Sequence, residues 1–135
     1  MKRYKMMGQN FGFSLVELIV VVLIMGIISV VLAPQIMKWV GRAKTNSDAS
    51  VARDLKVTIQ TAVGEFQGEK GTFSELTNID ISSAGLTTVT AMNGDGDKTL
   101  GEYIAAALGN EYPTALGGDY FKFSLTANGV VTITY

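Results

Sequence analysis

The chain has 135 residues, of which 47% are hydrophobic and 17% are charged, and its 11 bases and 12 acids give a net charge of −1. It contains no histidine and no cysteine, which excludes an imidazole base, a thiol nucleophile, a disulfide and the usual nitrogen and sulfur ligands of zinc. Only dispersed carboxylates, serines and threonines remain for catalysis, without a local motif, so we do not expect an enzyme.

The charges are segregated along the chain. Lys2, Arg3 and Lys5 precede the main apolar run, residues 38–56 hold five bases against two acids, and residues 57–135 hold three bases against nine acids. Because a nucleic-acid-binding surface needs clustered Lys and Arg, we expect no nucleic acid contact from the acidic C-terminal part.

Hydrophobic residues are concentrated near the N-terminus. Residues 18–33 have the sequence LIVVVLIMGIISVVLA, in which Ser29 is the only polar side chain. With its flanks the segment covers residues 13–37, about 37 Å of helix, which is enough to cross a hydrocarbon core of ~30 Å. A buried helix of a soluble domain is the alternative, but such helices are usually shorter. We therefore expect residues 13–37 to span a membrane and, since no small-x-small cleavage site follows, to stay with the protein.

Glu17 is the one charged residue inside this segment. A carboxylate at the centre of a bilayer costs roughly 2.5–3.5 kcal/mol, so an acid in a span is a candidate functional group unless it lies shallow and reaches water. Its neighbours, Gly12-Phe13-Ser14-Leu15-Val16-Glu17-Leu18, follow a short basic leader. This pattern resembles the class III signal of type IV prepilins and pseudopilins, and the resemblance covers residues 1 to about 65.

The resemblance implies a processing pathway. A prepilin peptidase would remove residues 1–12 by cutting between Gly12 and Phe13, and Phe13 would be N-methylated. Glu17, then fifth in the mature chain, would meet the Phe13 amine of a neighbouring subunit and set the register of assembly. That ammonium does not exist before cleavage, and an isolated carboxylate gains most from a cation in the same low dielectric, so processing would permit assembly.

Gly26 and Pro34 also match positions of the family pattern. Pro34 has no backbone N–H, so the carbonyl of Val30 loses its helical partner and a kink is expected there, while Gly26 is a second weak point. Family filaments often loosen the helix between these two positions, which implies a flexible stretch at residues 26–34.

The helix is expected to continue as an amphipathic half over residues 38–67 and to stop at Gly68 or Gly71. An apolar stripe with spacings of three and four residues supports this, and it consists of Val40, Ala43, Ser47, Val51, Leu55, Ile59, Ala62, Val63 and Phe66. Residues 68–135 must cover the stripe, which predicts an α+β head on a long helix: the pilin fold.

Three elements are predicted in the head. Leu86–Met92 is rich in strand-forming residues, and Thr99 with Glu102 forms a capping box ahead of a short helix at Tyr103–Leu108. Residues 119–135 form a hairpin. A two-residue turn there would place the apolar residues of its two strands on opposite faces, whereas a three-residue loop at Ala127-Asn128-Gly129 pairs Leu125 with Val131 and Phe123 with Ile133. We therefore expect the longer loop, with Gly129 left-handed and the apolar face packed on the helix stripe.

Asn93, Asp95 and Asp97 place oxygen atoms at alternate positions, as at the start of a calcium loop. The turn glycine and the bidentate glutamate of that loop are missing, so an exposed turn is favoured and calcium is a minor alternative. No other cofactor is expected.

The favoured function is that of a type IV pilin precursor, which is inserted in the membrane with its leader in the cytoplasm and then polymerises with copies of itself into a cell-surface filament. The resemblance implies three kinds of partner: the prepilin peptidase and N-methyltransferase, an inner-membrane platform protein and an assembly ATPase.

A major pseudopilin of a type II secretion or DNA-uptake system, which forms a short envelope-spanning filament, is the alternative. Many Gram-negative pilins close a C-terminal loop with a disulfide, so the lack of cysteine fits either a pseudopilin or a Gram-positive pilin. A membrane-tethered binding domain would not need Gly12, Phe13 and Glu17 together.

Overall fold

The computed structural model describes residues 12–91 and 96–135. The described elements are α1 (Leu15–Gly68), β1 (Leu76–Asp80), α2 (Ser83–Thr87), α3 (Leu100–Ala107), β2 (Lys122–Leu125) and β3 (Val131–Thr134). The chain divides after Gly41 into two compact units. The long N-terminal helix and the small antiparallel sheet confirm the expected α+β class.

The first part of α1 is the apolar segment. Pro34 lies inside the helix, which has a mean hydropathy of 3.1 over its most apolar window, and none of that window is buried within the structure. Among the described residues, α1 is the one helix long and apolar enough to cross a membrane. Ser29 donates from Oγ to the carbonyl of Met25 at 2.7 Å, a bond that competes with the helical pairing of that carbonyl and often bends helices.

The later part of α1 supplies one wall of the head's core. Buried side chains on it are Ala52, Leu55, Ile59, Ala62, Val63 and Phe66. The predicted stripe is correct from Val51 onward, but Val40, Ala43 and Ser47 are exposed. The core therefore begins about three turns later than the sequence pattern indicated, because a spacing of three and four residues can continue past the last point at which a partner covers it.

Helix α1 ends in a Schellman motif, but neither expected glycine occupies its left-handed position. Lys70 has φ 59°, its N–H donates to the carbonyl of Gln67 at 3.0 Å, and Gly71 N donates to the carbonyl of Phe66 at 2.9 Å. Glycine favours the left-handed region and lysine does not, so this stop carries a local conformational cost.

The sheet has the order β1-β2-β3, and both pairs are antiparallel. In the β2–β3 hairpin, Leu125 pairs with Val131 and Phe123 with Ile133, which confirms the predicted register. The loop closes through Gly129 N to the carbonyl of Thr126 at 2.9 Å, and Gly129 has φ 80°. The buried residues Phe121, Phe123, Leu125 and Val131 belong to the same core as the helix stripe.

Strand β1 was not predicted from the sequence. Its pairing with β2 shifts between Leu76 and Ile79, Asn78 has φ 53°, and Asn78 N donates to Ser124 Oγ at 3.1 Å. Its two apolar residues, Leu76 and Ile79, are half-buried but three positions apart because of this bulge, so the strand lacks the alternation that identifies a half-buried strand.

The strand expected at Leu86–Met92 is wrong over residues 86–91, and Met92 lies outside the described residues. Leu86 lies in α2, whose first turn is capped by Ser82 Oγ accepting from Gly85 N at 3.0 Å, and residues 88–91 form no strand. Strand propensity was overridden because this cap starts a helical turn that buries Leu86 in the core.

The capping box at Thr99 and Glu102 is confirmed. Thr99 N donates to Glu102 Oε2 at 2.7 Å, and Glu102 N donates to Thr99 Oγ1 at 3.2 Å. Helix α3 therefore starts at Leu100, three residues before the predicted Tyr103. Gly101 in its first turn faces α2 so closely that a Cβ built there would lie 2.1 Å from the carbonyl oxygen of Leu86.

Two polar side chains of α1 hold the loops of the head. Gln60 donates from Nε2 to the carbonyl of Gly129 at 2.6 Å and accepts from Val131 N at Oε1, at 3.0 Å. Asp48 accepts from Leu116 N at 3.0 Å. All three bonds join α1 to residues about 70 positions away in the chain, and none of them was predicted from the sequence.

Candidate functional site

The candidate site is the start of α1, where Gly12, Phe13 and Glu17 lie within six positions of one another. Gly12, Phe13 and Ser14 precede the helix without regular structure, and the Phe13 side chain is 84% exposed. A Cβ built at Gly12 would meet no atom within 4 Å. Nothing in the described chain therefore requires glycine at position 12, and the bond after it is open to solvent.

Glu17 caps the helix that contains it. Ser14 N donates to Glu17 Oε2 at 2.8 Å, and Leu18 N donates to the carbonyl of Ser14 at 3.3 Å. Ser14 is thus the N-cap residue and Glu17 the third helical residue, which is the backward half of a capping box. The S-x-x-E signal was present in the sequence but was not interpreted as a cap.

The cap fixes where the Glu17 carboxylate points. It reaches back along the chain to the N–H of Ser14, the residue directly after Phe13. A carboxylate in the first turn also lies in the favourable field of the helix N-terminus. If the chain were cut after Gly12, the new ammonium would form one residue away from the N–H that Glu17 already binds.

The side chains that follow this turn are mostly apolar, and all of them up to residue 41 are exposed. Every residue from 15 to 41 is exposed, including Leu15 at 72%, Val30 at 77% and Met37 at 76%. An exposed apolar surface of this size is stable only against lipid or other apolar side chains. Gly26 and Pro34 lie on it inside α1 and take no part in the Ser14–Glu17 contact.

The structure does not assemble a metal centre from the residues it describes. Asn93 and Asp95 of the calcium candidate lie outside them, and Asp97 is exposed. Within residues 12–91 and 96–135, no group of three or more His, Cys, Asp or Glu residues is arranged to hold a metal ion. The calcium loop remains a prediction from the sequence.

The exposed apolar helix and its acid-capped first turn define a class: a membrane-anchored protein with a small α+β head. A family model described as "Prokaryotic N-terminal methylation motif" matches residues 7–33, and so the chain carries the class III signal of type IV pilins and pseudopilins. No curated protein and no solved structure matches the chain.

Proposed function

We propose that the protein is the precursor of a type IV pilin, a structural subunit that is cleaved, N-methylated and polymerised into a surface filament. The observation that carries the proposal is the placement of Glu17, which lies in the methylation motif and holds the N–H next to the predicted cleavage point. A simple membrane anchor needs neither an acid in its apolar segment nor an open glycine before it.

Cleavage between Gly12 and Phe13 hydrolyses one peptide bond and leaves an ammonium group on Phe13. That ammonium can pair with a Glu17 carboxylate, of its own chain or of a neighbour, and the pair is strongest when lipid or other helices exclude water. In the assembled filament, the Phe13 amine of one subunit meets Glu17 of another, and the exposed apolar residues of α1 pack together in place of lipid.

The proposed pathway specifies where the leader lies and which proteins process and assemble the chain. The leader at residues 1–12 is cytoplasmic, a prepilin peptidase and methyltransferase processes the chain, and an inner-membrane platform protein with its ATPase adds the subunit to a growing homopolymer. Residues 26–34 supply flexibility for three reasons. Pro34 lacks the N–H that would bond the carbonyl of Val30, the Ser29 hydroxyl competes for the carbonyl of Met25, and Gly26 lowers the helix propensity.

The direct test is the chemical state of the N-terminus in the native host. Mass spectrometry of the membrane and surface fractions should find a mature chain that starts at N-methylated Phe13. An uncut chain with residues 1–12 still attached in both fractions would overturn the proposal.

A pseudopilin carries the same motif, and the lack of cysteine fits it as well as it fits a Gram-positive pilin. Immunoelectron microscopy with an antibody against residues 68–135 separates the two. Long labelled fibres on the cell surface are expected for a pilin, whereas label confined to the envelope would assign the chain to a secretion or DNA-uptake filament.

A further inference from the structure

Two groups of exposed charges on the later part of α1 lie on either side of its buried face. At about 100° per residue, Arg42, Arg53 and Lys56 fall within a sector of roughly 60°, and all three are exposed. We call these three residues the basic flank. Asp54 and Glu65, also exposed, fall within about 20° of each other on the other side of the buried face.

The acidic side of the helix borders an open groove of about 480 Å³. Its floor is apolar, with Val51 and Leu55 from α1 and Leu108 and Pro113 from the segment that follows α3, and its rim carries Asp54 and Glu111. No base lines it, and neither carboxylate has an ion pair among the described residues. We call this feature the acidic groove.

An apolar floor with a carboxylate rim suits a long basic side chain. Lys and Arg bury their methylene stems on apolar surface while the charged head remains at the edge, and a carboxylate there adds a charge-assisted hydrogen bond. The chain carries such side chains on its own basic flank, but Arg53 and Lys56 lie on the side of the helix away from the groove, so they can enter only the groove of another copy.

We propose that the acidic groove of one copy receives the basic flank of the next copy. The inference rests on the proposed filament and names the head-level contact within it. The two surfaces are different, so the contact is heterologous: each copy offers a groove on one side and a flank on the other. Contacts of that kind form a ring or an open helix instead of a closed pair, as a fibre requires.

The test reverses the charge of each surface in turn, in the full-length chain expressed in its native host. One variant combines Asp54→Lys with Glu111→Lys, and the other combines Arg53→Glu with Lys56→Glu. Each alone should reduce filament yield roughly tenfold or more, because like charges would meet across every contact. Expressed together, the two variants should restore filaments that contain both chains, since the lysines of one then face the glutamates of the other.

Matched controls make the same charge changes outside both surfaces. Glu75→Lys with Asp119→Lys matches the groove variant, and Lys44→Glu with Lys70→Glu matches the flank variant, at positions that are all exposed. Both controls should assemble at wild-type yield. Membrane-inserted mature chain is measured in parallel, so that a loss of processing is separated from a loss of assembly.

The outcomes distinguish this contact from the proposed function. If the wild-type chain is cleaved but forms no filament of any length, the filament proposal fails. Two other results would show that the contact is wrong while the filament proposal stands. One is that wild-type filaments form and a charge-reversed variant also assembles normally. The other is that the two variants, expressed together and both cleaved, do not assemble into filaments.

Should a lysine variant fail to accumulate, the neutral Asp54→Asn, Glu111→Gln variant replaces it. Added salt should weaken wild-type filaments more than filaments of that neutral variant, and an equal salt response would overturn the contact.

Discussion

The side-chain amide of Gln60 makes two hydrogen bonds where the β2–β3 turn leads into β3: it donates to the carbonyl of Gly129 and accepts from the N–H of Val131. One residue of α1 thus attaches the end of this turn to the helix.

Replacing Gln60 by Ala should destabilise the head. The substitution leaves one acceptor and one donor without their partners, in contacts that are partly buried, and such losses cost about 1–3 kcal/mol. Thermal unfolding of the detergent-solubilised chain, followed through the near-ultraviolet signal of its tyrosines, measures the change. Gln67→Ala is the matched control, because the Gln67 amide lies beside Gly129 without a hydrogen bond to it among the described contacts. Equal losses in both variants would refute the role of Gln60.

Replacing Lys70 by Gly should stabilise the head by about 1 kcal/mol. Lysine at φ 59° is strained where glycine is not, so the substitution removes a cost of the folded state. The same thermal unfolding experiment should show a rise of roughly 4–8 °C. Lys70→Ala removes the same charge but keeps a Cβ, and it should give no such rise. If both variants behave alike, the backbone explanation is wrong.

Replacing Gly101 by Ala should destabilise the packing of α3 on α2. The added Cβ would overlap the carbonyl of Leu86, so the two helices must move apart. We expect a loss of about 1–3 kcal/mol. Gly64→Ala is the matched control, since a Cβ there meets nothing within 4 Å and should stabilise α1 by up to about 1 kcal/mol. A Gly101→Ala variant as stable as the parent would show that the contact relaxes freely.

Replacing Glu17 by Gln or by Ala should reduce filament yield while leaving cleavage and membrane insertion largely intact. Gln keeps an oxygen that can accept from Ser14 N but loses the charge, whereas Ala loses both. If the charge pairs with the Phe13 amine, both variants lose filaments; if only the cap matters, Gln restores them. Surface-filament yield per mature chain is the measurement, and normal yield in both variants contradicts a role in assembly.

Replacing Gly12 by Val should block processing and accumulate the full-length precursor. No part of the described chain approaches Gly12, so the substitution should not disturb the fold, and its effect must arise where the peptidase meets the backbone. Chain length in the membrane fraction, determined by mass spectrometry, measures the result. A chain that still starts at Phe13 would show that glycine is not required.

The hairpin and the α3 cap could be predicted because their signals are local. The apolar residues of each hairpin strand alternate with polar ones, and the two apolar sets share a face only if Phe123 pairs with Ile133. The motif T-x-x-E at Thr99 and Glu102 indicates the cap of α3. Strand β1 and helix α2 could not be predicted in the same way. The strand's one break in pattern, at Asn78, is held by Ser124 from a distant strand, and Leu86 is helical because of a cap and a core contact that propensity does not include.

The sequence points to Gly12, Phe13 and Glu17 because they belong to one short motif, and their roles in cleavage and assembly stay predictions. What the sequence interpretation missed is the bond from Ser14 to Glu17, although its spacing was visible. The groove beside Asp54 could not be predicted from the sequence, because Glu111 is far from Asp54 along the chain and comes next to it only in the folded structure.

Both edges of the sheet are irregular. The β1 edge is broken by the bulge at Asn78, and on the β3 edge the N–H of Val131 is occupied by Gln60. A foreign strand therefore finds no long flat ladder on either side, which is how natural sheets avoid edge-to-edge aggregation. In the proposed filament, this leaves side-chain surfaces, rather than backbone pairing, to decide which copies associate.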